Sequence, residues 1–85
     1  MAQIHDLKIL PEYYTAVEKG VKTYELRFDD RNYAVGDMLI LREWENGQYT
    51  GRRLTVLITH ILKDFVGLTD GWAVLSIKKT GGKKC

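Results

Sequence analysis

Five short segments that alternate apolar with polar residues constrain the fold of this chain most. A period of two is the pattern of a β-strand with one buried face. The segments cover residues 4–10, 22–28, 38–44, 53–62 and 72–78. Asn46 and Gly47 separate the third segment from the fourth, and both residues tolerate the positive φ angles of a tight turn. We therefore predict five strands, of which the third and fourth form a hairpin.

One further segment carries the signals of a helix. Pro11, the only proline, suits the first helical position, and Glu12 is favourable beside the positive end of the helix dipole. Gly20 is a natural stop at the C-terminal end. The sequence predicts a helix over residues 11–19. Three of its side chains are available for a buried face: Tyr13, Tyr14 and Val17.

A chain of 85 residues has room for one domain. In so short a chain, closing the sheet on itself protects its edges and creates a single core. The fourth strand favours closure because its second half is apolar on both faces. We predict an α+β, mostly β fold, in which residues 1–78 form a five-stranded antiparallel or mixed β-barrel with one main helix. Residues 79–85 are expected to form a flexible basic tail.

Composition excludes several classes of protein. Hydrophobic residues make up 45% of the chain and charged residues 28%, as in ordinary globular proteins. The longest apolar runs, such as residues 38–41, are far shorter than the roughly 20 residues that span a bilayer. The first residues lack the basic and apolar regions of a signal peptide, so we expect a cytoplasmic protein without a membrane partner. The single cysteine, Cys85, excludes an internal disulfide and a cysteine-based zinc site.

Basic charge is concentrated at the end of the chain. Four of the 13 basic residues lie in the last eight positions: Lys78, Lys79, Lys83 and Lys84. The preceding residues carry nine basic against 11 acidic side chains. A few exposed lysines give salt-sensitive, unspecific attraction to a polyanion. We therefore expect the tail to be a solubilising end rather than a specific binding arm.

Common catalytic and metal motifs do not occur in the sequence, which has no glycine-rich phosphate loop, HExxH, CxxC or GxSxG. His5 alternates with polar neighbours and should face inward. A metal site formed with the distant His60 would need carboxylates as well, and an inward histidine is more often a hydrogen-bonded core residue. We therefore expect no metal and no cofactor.

The segment from Gly20 to Arg27 places charges of both signs on a strand that must also contribute side chains to the core. Alternation puts Tyr24, Leu26 and Phe28 on one face, and Thr23, Glu25 and Arg27 on the other. The apolar face is expected to be the core face. A charged face lines either solvent or a pocket, and a solvated face with a weak ion pair is the commoner case.

Four residues of this segment match a known signature. Gly20, Lys22, Glu25 and Arg27 fit the G-x-K-x-x-E-x-R pattern of ASCH domains, which belong to the PUA-like superfamily. The wider sequence resembles a small ASCH-like group of bacteria and phages, the domain-of-unknown-function family 3850. That resemblance spans about residues 5–78 and is carried by three further stretches: residues 5–8, 35–43 and 71–75.

The resemblance implies a PUA-like β-barrel with a cleft, beside the helix and the signature strand, that receives RNA or a nucleotide. Lys22 and Arg27 can donate to a phosphate or a base carbonyl, and Glu25 can accept from an amine or a ribose hydroxyl. We expect these three residues to converge in one concave site. Its rim is expected to include Thr23, His5 and Lys8. Four aromatic side chains are candidates for base stacking, although most are expected in the core: Tyr24, Tyr33, Trp44 and Trp72.

Two other functions remain open beside RNA or nucleotide binding by a monomer. One ASCH branch comprises amidohydrolases that act on N4-acylated cytidine, with the signature lysine as base and a threonine three residues later as nucleophile. Lys22 matches the base, but Glu25 stands at the nucleophile position, so no catalytic residue is assigned. The third function is protein interaction, in a domain whose cleft no longer serves a ligand.

Overall fold

The structure, a computed structural model, describes residues 2–80. Its elements in chain order are β1 (Ile4–Ile9), α1 (Pro11–Glu18), β2 (Tyr24–Phe28), β3 (Met38–Glu45), β4 (Gln48–Lys63) and β5 (Trp72–Lys79). The five strands form one sheet in the order β1-β3-β4-β5-β2. The pairing of β1 with β3 is parallel, and the other three pairings are antiparallel. The predicted α+β, mostly β fold with a mixed five-stranded sheet and one helix is confirmed.

The hairpin between β3 and β4 forms where the sequence predicts it. Asn46 and Gly47 adopt φ angles of 53° and 80°, which allow the chain to reverse in two residues. Strand β4 is longer than expected and begins at Gln48 rather than near residue 53. The pairing shifts register between Arg42 and Trp44, where two steps along β3 correspond to four along β4, while burial still alternates along β3.

The sheet curls into a half-barrel whose two edges are β1 and β2. Within residues 2–80 no backbone ladder joins these edges, so the predicted barrel is not closed by strand pairing. Two arginine side chains bridge the seam instead. Arg27 donates from Nη2 to the carbonyl of Lys8 at 2.6 Å, and Arg31 donates from Nη1 to the carbonyl of Asp6 at 2.8 Å. A ladder would bring the strands to about 4.8 Å, which leaves no room for charged side chains between them.

The core fills the concave side of the half-barrel, and helix α1 covers it. Five large aliphatic side chains contributed by three strands are completely buried: Leu39, Leu41, Val56, Ile58 and Leu75. The helix contributes Tyr14 and Val17, and the hydroxyl of Tyr14 donates to the carbonyl of Arg53 at 3.0 Å. Full burial of each aliphatic side chain stabilises the fold by about 1.5–3 kcal/mol, so these side chains contribute a large part of the favourable free energy of folding.

Strand β2 is turned the other way from the sequence prediction. Glu25 is only 4% exposed, whereas Tyr24, Leu26 and Phe28 are 49%, 51% and 51% exposed. The register with β5 explains this, because Glu25 lies opposite Leu75 and that buried partner faces inward. Residues directly opposite each other in a sheet share a face. The charged face of β2 therefore points into the half-barrel, and the expectation of an apolar inner face was wrong.

Strand β5 extends one residue further than the sequence predicts. Lys79 was assigned to the flexible tail, but it belongs to β5, and its ammonium donates to the carbonyl of Glu18 at 2.5 Å. The remaining tail residues, 81–85, lie outside the described part of the chain. Over residues 2–80, the one helix is too short and too polar to traverse a bilayer.

Candidate functional site

A cleft of about 380 Å³ lies at the seam between β1 and β2, beside helix α1. The two strand edges and the helix all contribute to its wall. Its lining residues are Lys8, Ile9, Leu10, Tyr13, Lys22, Tyr24, Glu25, Leu26 and Arg27. Three of the four residues of the G-x-K-x-x-E-x-R pattern are among them, and the fourth, Gly20, ends the neighbouring helix.

The junction between α1 and β2 brings Lys22 to this cleft. Gly20 adopts φ +78°, a left-handed conformation in which a helix commonly terminates. The backbone N–H groups of Val21 and Lys22 then both donate to the carbonyl of Ala16, at 2.9 and 3.0 Å. These bonds hold the backbone of Lys22 against the last turn of the helix, so its side chain reaches the cleft from that side.

Glu25 is the centre of the charged cluster. Its Oε2 lies 2.7 Å from Lys22 Nζ, and its Oε1 lies 3.3 Å from Arg27 Nε. The side chains of Lys22 and Arg27 are 13% and 26% exposed, against 6% for Glu25. A buried carboxylate is thus compensated by two cations that still reach solvent. We name this set, Lys22, Glu25 and Arg27, the cleft cluster.

Aromatic rings and backbone carbonyls hold the cations in place. Lys22 Nζ donates to the carbonyl of Tyr24 at 2.5 Å and lies 4.7 Å from the centroid of the Tyr24 ring and 5.8 Å from that of Tyr13. Lys8 Nζ lies 3.9 Å above the ring of Trp44. Cation–π contacts of this kind stabilise an ammonium by about 0.5–2 kcal/mol. The cleft therefore combines fixed positive charge with half-exposed aromatic surface.

His5 does not line the cleft. It lies near the other end of β1, 5% exposed, with Nε2 2.9 Å from Asp37 Oδ2. Asp37 also accepts from the backbone N–H groups of Gln3 and Ala34. Desolvation opposes ionisation of this buried carboxyl, but these hydrogen bonds outweigh it and lower the pKa of Asp37. The geometry therefore gives His5 a structural contact between β1 and the turn before β3.

Thr23 and the stacking candidates are distributed over several surfaces. Thr23 does not line the cleft but a neighbouring cavity of about 180 Å³, beside Val17 and Ile77, which Lys22 also borders. Of the four aromatic residues considered for stacking, only Tyr33 is buried, so the expectation that most lie in the core was wrong. Tyr24 lines the cleft, and Trp72 is 38% exposed on β5.

Sequence reasoning missed Tyr13 and Leu26 as cleft residues and Glu43 as a buried charge. A local signal existed for Tyr13, because Tyr14 and Val17 are three residues apart and define the buried helix face without it. No local signal existed for Leu26, whose apolar side chain favours the core. Across residues 2–80 no three His, Cys, Asp or Glu side chains are grouped as they would be in a metal site, and His60 is exposed.

A second ion cluster lies on strands β3 and β4. Glu43 accepts from Arg52 Nε at 3.0 Å, from Arg52 Nη2 at 2.8 Å and from Thr50 Oγ1 at 2.6 Å. The bonds from Arg52, and then that from Thr50, lower the pKa of Glu43 to about 2. The Arg52 guanidinium also lies 4.5 Å from the centroid of the Tyr14 ring. We name Glu43, Thr50 and Arg52 the hairpin cluster; none of them lines the cleft.

Comparison with known proteins identifies relatives but no activity. Residues 4–77 match the family DUF3850, a domain of unknown function. An uncharacterised 12.9 kDa protein in the GpA 3′ region of Escherichia phage P2 is 43% identical over 72 residues. That match covers 78% of this chain and 66% of the phage protein, which is therefore longer than the matched region. The chain belongs to the DUF3850 family.

Proposed function

We propose that this chain is an ASCH-like binding module for RNA or a nucleotide, and that its ligand occupies the cleft between β1 and β2. One observation carries the proposal: β2 turns its charged face inward, toward the cleft, and leaves its apolar face half exposed. A strand that only stabilised the fold would bury Leu26 and Phe28 and leave Glu25 in water. Burial of charge beside empty volume is typical of a binding site.

The chemistry of the cleft fits the parts of a nucleotide. Arg27 keeps N–H groups beyond those bonded to Glu25 and Lys8, because its guanidinium carries five donors. These can bind a phosphate oxygen or a base carbonyl. Glu25 can accept from an exocyclic amine or a ribose hydroxyl. Tyr13 and Tyr24, together with Ile9 and Leu10, offer an apolar wall to a base.

Charge and size support an anionic ligand of this class. Three cationic side chains, Lys8, Lys22 and Arg27, line the cleft against one carboxylate, Glu25. The volume of about 380 Å³ lies within the range of small-molecule sites, roughly 300–1,000 Å³.

Titration of the full chain tests the proposal. We expect saturable chemical-shift changes at cleft residues on addition of a nucleoside monophosphate or a short single-stranded RNA. Glu25→Gln should weaken binding by less than tenfold, because one charge-assisted hydrogen bond becomes a neutral one. Absence of binding for every nucleotide and RNA, at low salt and at the solubility limit of the protein, would contradict the proposal.

The same protein sample separates binding from hydrolysis. We expect no turnover of N4-acylated cytidine, since Glu25 occupies the nucleophile position and Thr23 is not among the residues that line the cleft. If turnover occurs and falls by about 10²–10⁴-fold in Glu25→Gln while binding is kept, the binding-module proposal fails and the protein is an enzyme.

A further inference from the structure

A second cavity, of about 320 Å³, adjoins the cleft along the same seam. Leu26 and Arg27 line both cavities, so the Arg27 side chain stands between them. The other residues around the second cavity are Leu7, Phe28, Asp30, Arg31, Tyr33 and Trp72. The seam is therefore a groove with two compartments, of which the cleft is one.

Two guanidinium groups follow each other along this groove. The N–H of Met38 donates to the carbonyl of Gln3, so the polar groups of odd-numbered residues of β1 face β3 and those of even-numbered residues face the seam. Arg27 donates to the carbonyl of Lys8, and Arg31 donates to the carbonyl of Asp6. These two carbonyls lie two residues apart on the free edge of β1. Two residues of a strand span about 6.6 Å.

A row of fixed cations fits a chain of phosphates better than a single phosphate. The side chains of Arg27 and Arg31 are 26% and 43% exposed, so both retain donors that face solvent. Arg27 is paired with Glu25 at 3.3 Å, whereas Arg31 has Asp30 beside it, with Oδ1 3.9 Å from Arg31 Nε and a side chain that is 64% exposed. One well-hydrated carboxylate compensates the second arginine only in part.

Aromatic surface flanks the second compartment. Phe28 and Trp72 lie edge to face with centroids 5.9 Å apart, and they are 51% and 38% exposed. Trp72 lines the second cavity, next to the half-exposed Leu26. A partly exposed tryptophan ring beside a row of arginines is the combination that single-stranded nucleic acid binds by stacking and phosphate contact.

We propose that the ligand of this site is a single-stranded RNA segment of at least two consecutive nucleotides rather than a mononucleotide. One base occupies the cleft, the linking phosphate contacts Arg27 and Arg31, and the next base stacks on Trp72 in the second compartment. This inference rests on the proposed function, because it takes the cleft to be the first base site.

Affinity as a function of ligand length tests the inference. The probes are uridine 5′-monophosphate, the 5′-phosphorylated dinucleotide of uridine, and the tetranucleotide, each titrated into the full chain at one fixed salt concentration. We expect the dinucleotide to bind at least tenfold more tightly than the mononucleotide. Trp72→Leu, which keeps apolar bulk but removes the ring, should weaken the dinucleotide roughly tenfold and change mononucleotide affinity less than twofold.

Two controls accompany that variant. Phe65→Leu removes a ring that is 59% exposed and lines neither compartment, and it should leave both affinities unchanged. Trp72→Phe retains a stacking surface and should restore most of the dinucleotide affinity if Trp72→Leu proves unstable. Arg31→Ala should lower the salt slope of dinucleotide binding by about 0.7, the contribution of one phosphate contact on a single strand.

The outcomes distinguish the two proposals. If the mononucleotide and the dinucleotide bind equally well, and Trp72→Leu changes neither while Lys22→Ala weakens both, the second compartment is overturned and the proposed function stands. If Phe65→Leu weakens the dinucleotide as much as Trp72→Leu does, general loss of stability is the cause and the inference is also overturned. If none of the three probes binds, both proposals fail together.

Discussion

The cleft cluster and the hairpin cluster each contain a buried glutamate paired with arginine, but their surroundings differ. Each contains a glutamate that is 4% exposed, and in each both carboxylate oxygens accept hydrogen bonds from cations. Glu25 forms ion pairs with Lys22 and Arg27, and both of these cations line the cleft of about 380 Å³. Glu43 takes two bonds from Arg52 and a third from the hydroxyl of Thr50, and neither it nor its partners line any of the cavities described above.

This difference teaches that a buried ion pair alone does not identify a functional site. The bonds of Glu43 lower its pKa to about 2, the largest shift of any carboxyl described here, yet Glu43 lines none of the cavities described above. Perturbed titration is common in structural ion pairs as well as in active sites. What sets the cleft cluster apart is empty volume beside cations that retain free donors.

Replacing one arginine in each cluster should produce the largest contrast. Arg27→Ala removes a donor from the proposed ligand site and should lower affinity for single-stranded RNA about 10–100-fold, the equivalent of one or two charge-assisted hydrogen bonds. Arg52→Ala breaks the matching ion pair on the hairpin and should change affinity less than twofold. Fluorescence anisotropy with one labelled oligonucleotide measures both.

Folding of the two variants must be compared in the same experiment. Arg52→Ala leaves Glu43 buried without its guanidinium and should lower the melting temperature, whereas its binding, measured well below that temperature, stays intact. Equal losses of affinity in the two variants would show that RNA affinity depends on the net charge of the protein and not on the cleft.

Acid unfolding should report the hairpin cluster. Because the pKa of Glu43 falls from 4.5 to about 2 on folding, the unfolded chain binds more protons between these values. The stabilisation is complete above about pH 4.5 and is lost as the pH falls through 2. In Glu43→Gln the free energy of unfolding should therefore rise less steeply with pH over this window. Urea unfolding at several pH values, followed by tryptophan fluorescence, measures the slope.

In Glu43→Gln the free energy of unfolding should still depend on pH, because other carboxyls contribute to that dependence. The pKa values of Asp29 and Asp37 are also lowered, in both cases by hydrogen bonds that outweigh desolvation. Their contributions persist in Glu43→Gln and in the wild-type chain alike. Parallel pH profiles for the two proteins would mean that Arg52 does not hold Glu43 ionised.

Local signals predicted the elements of the fold. Pro11 and Gly20 mark the ends of the helix, and Asn46 and Gly47 mark the hairpin, because each residue has a conformational preference that acts within a few positions. The signature residues Lys22, Glu25 and Arg27 were likewise visible in the sequence, and the structure brings them together in one cleft.

Contacts between distant strands decided the rest. Alternation alone cannot say which face of β2 points inward, and the more apolar face was the natural choice; pairing with the buried Leu75 reverses it. The hairpin cluster, by contrast, agrees with strand parity. Glu43 shares the buried parity of Leu39 and Leu41, and the register shift of two residues between Arg42 and Trp44 keeps Thr50 and Arg52 on its face. What the sequence does not give is the register that brings Arg52 within bonding distance.

Two glycines with nearly equal conformations extend the comparison. Gly20 precedes the cleft cluster with φ +78°, and Gly47 lies in the turn between Glu43 and Thr50 of the hairpin cluster with φ +80°. A Cβ at either position would meet nothing within 4 Å. Alanine at each site should therefore cost only backbone strain, about 1–2 kcal/mol of unfolding free energy. Gly20→Ala should also weaken RNA binding a few-fold, since it disturbs the turn that positions Lys22, whereas Gly47→Ala should not. Equal affinities of the two variants would contradict a role for that turn.

The basic end of the chain should contribute least to the contrast between the clusters. Removal of residues 81–85 takes away Lys83 and Lys84 but keeps Lys79, which the structure places in β5. Each phosphate contact on a single strand contributes about 0.7 to the dependence of log affinity on log salt, so the truncated chain should lose at most about 1.4 from that slope. Its order of preference among ligands should not change, because the groups proposed to discriminate between bases lie in the cleft. Binding isotherms at four salt concentrations, with two oligonucleotides of different sequence, measure both quantities. A change of preference on truncation would mean that the tail discriminates between ligands. The contrast between the cleft cluster and the hairpin cluster would then not account for specificity.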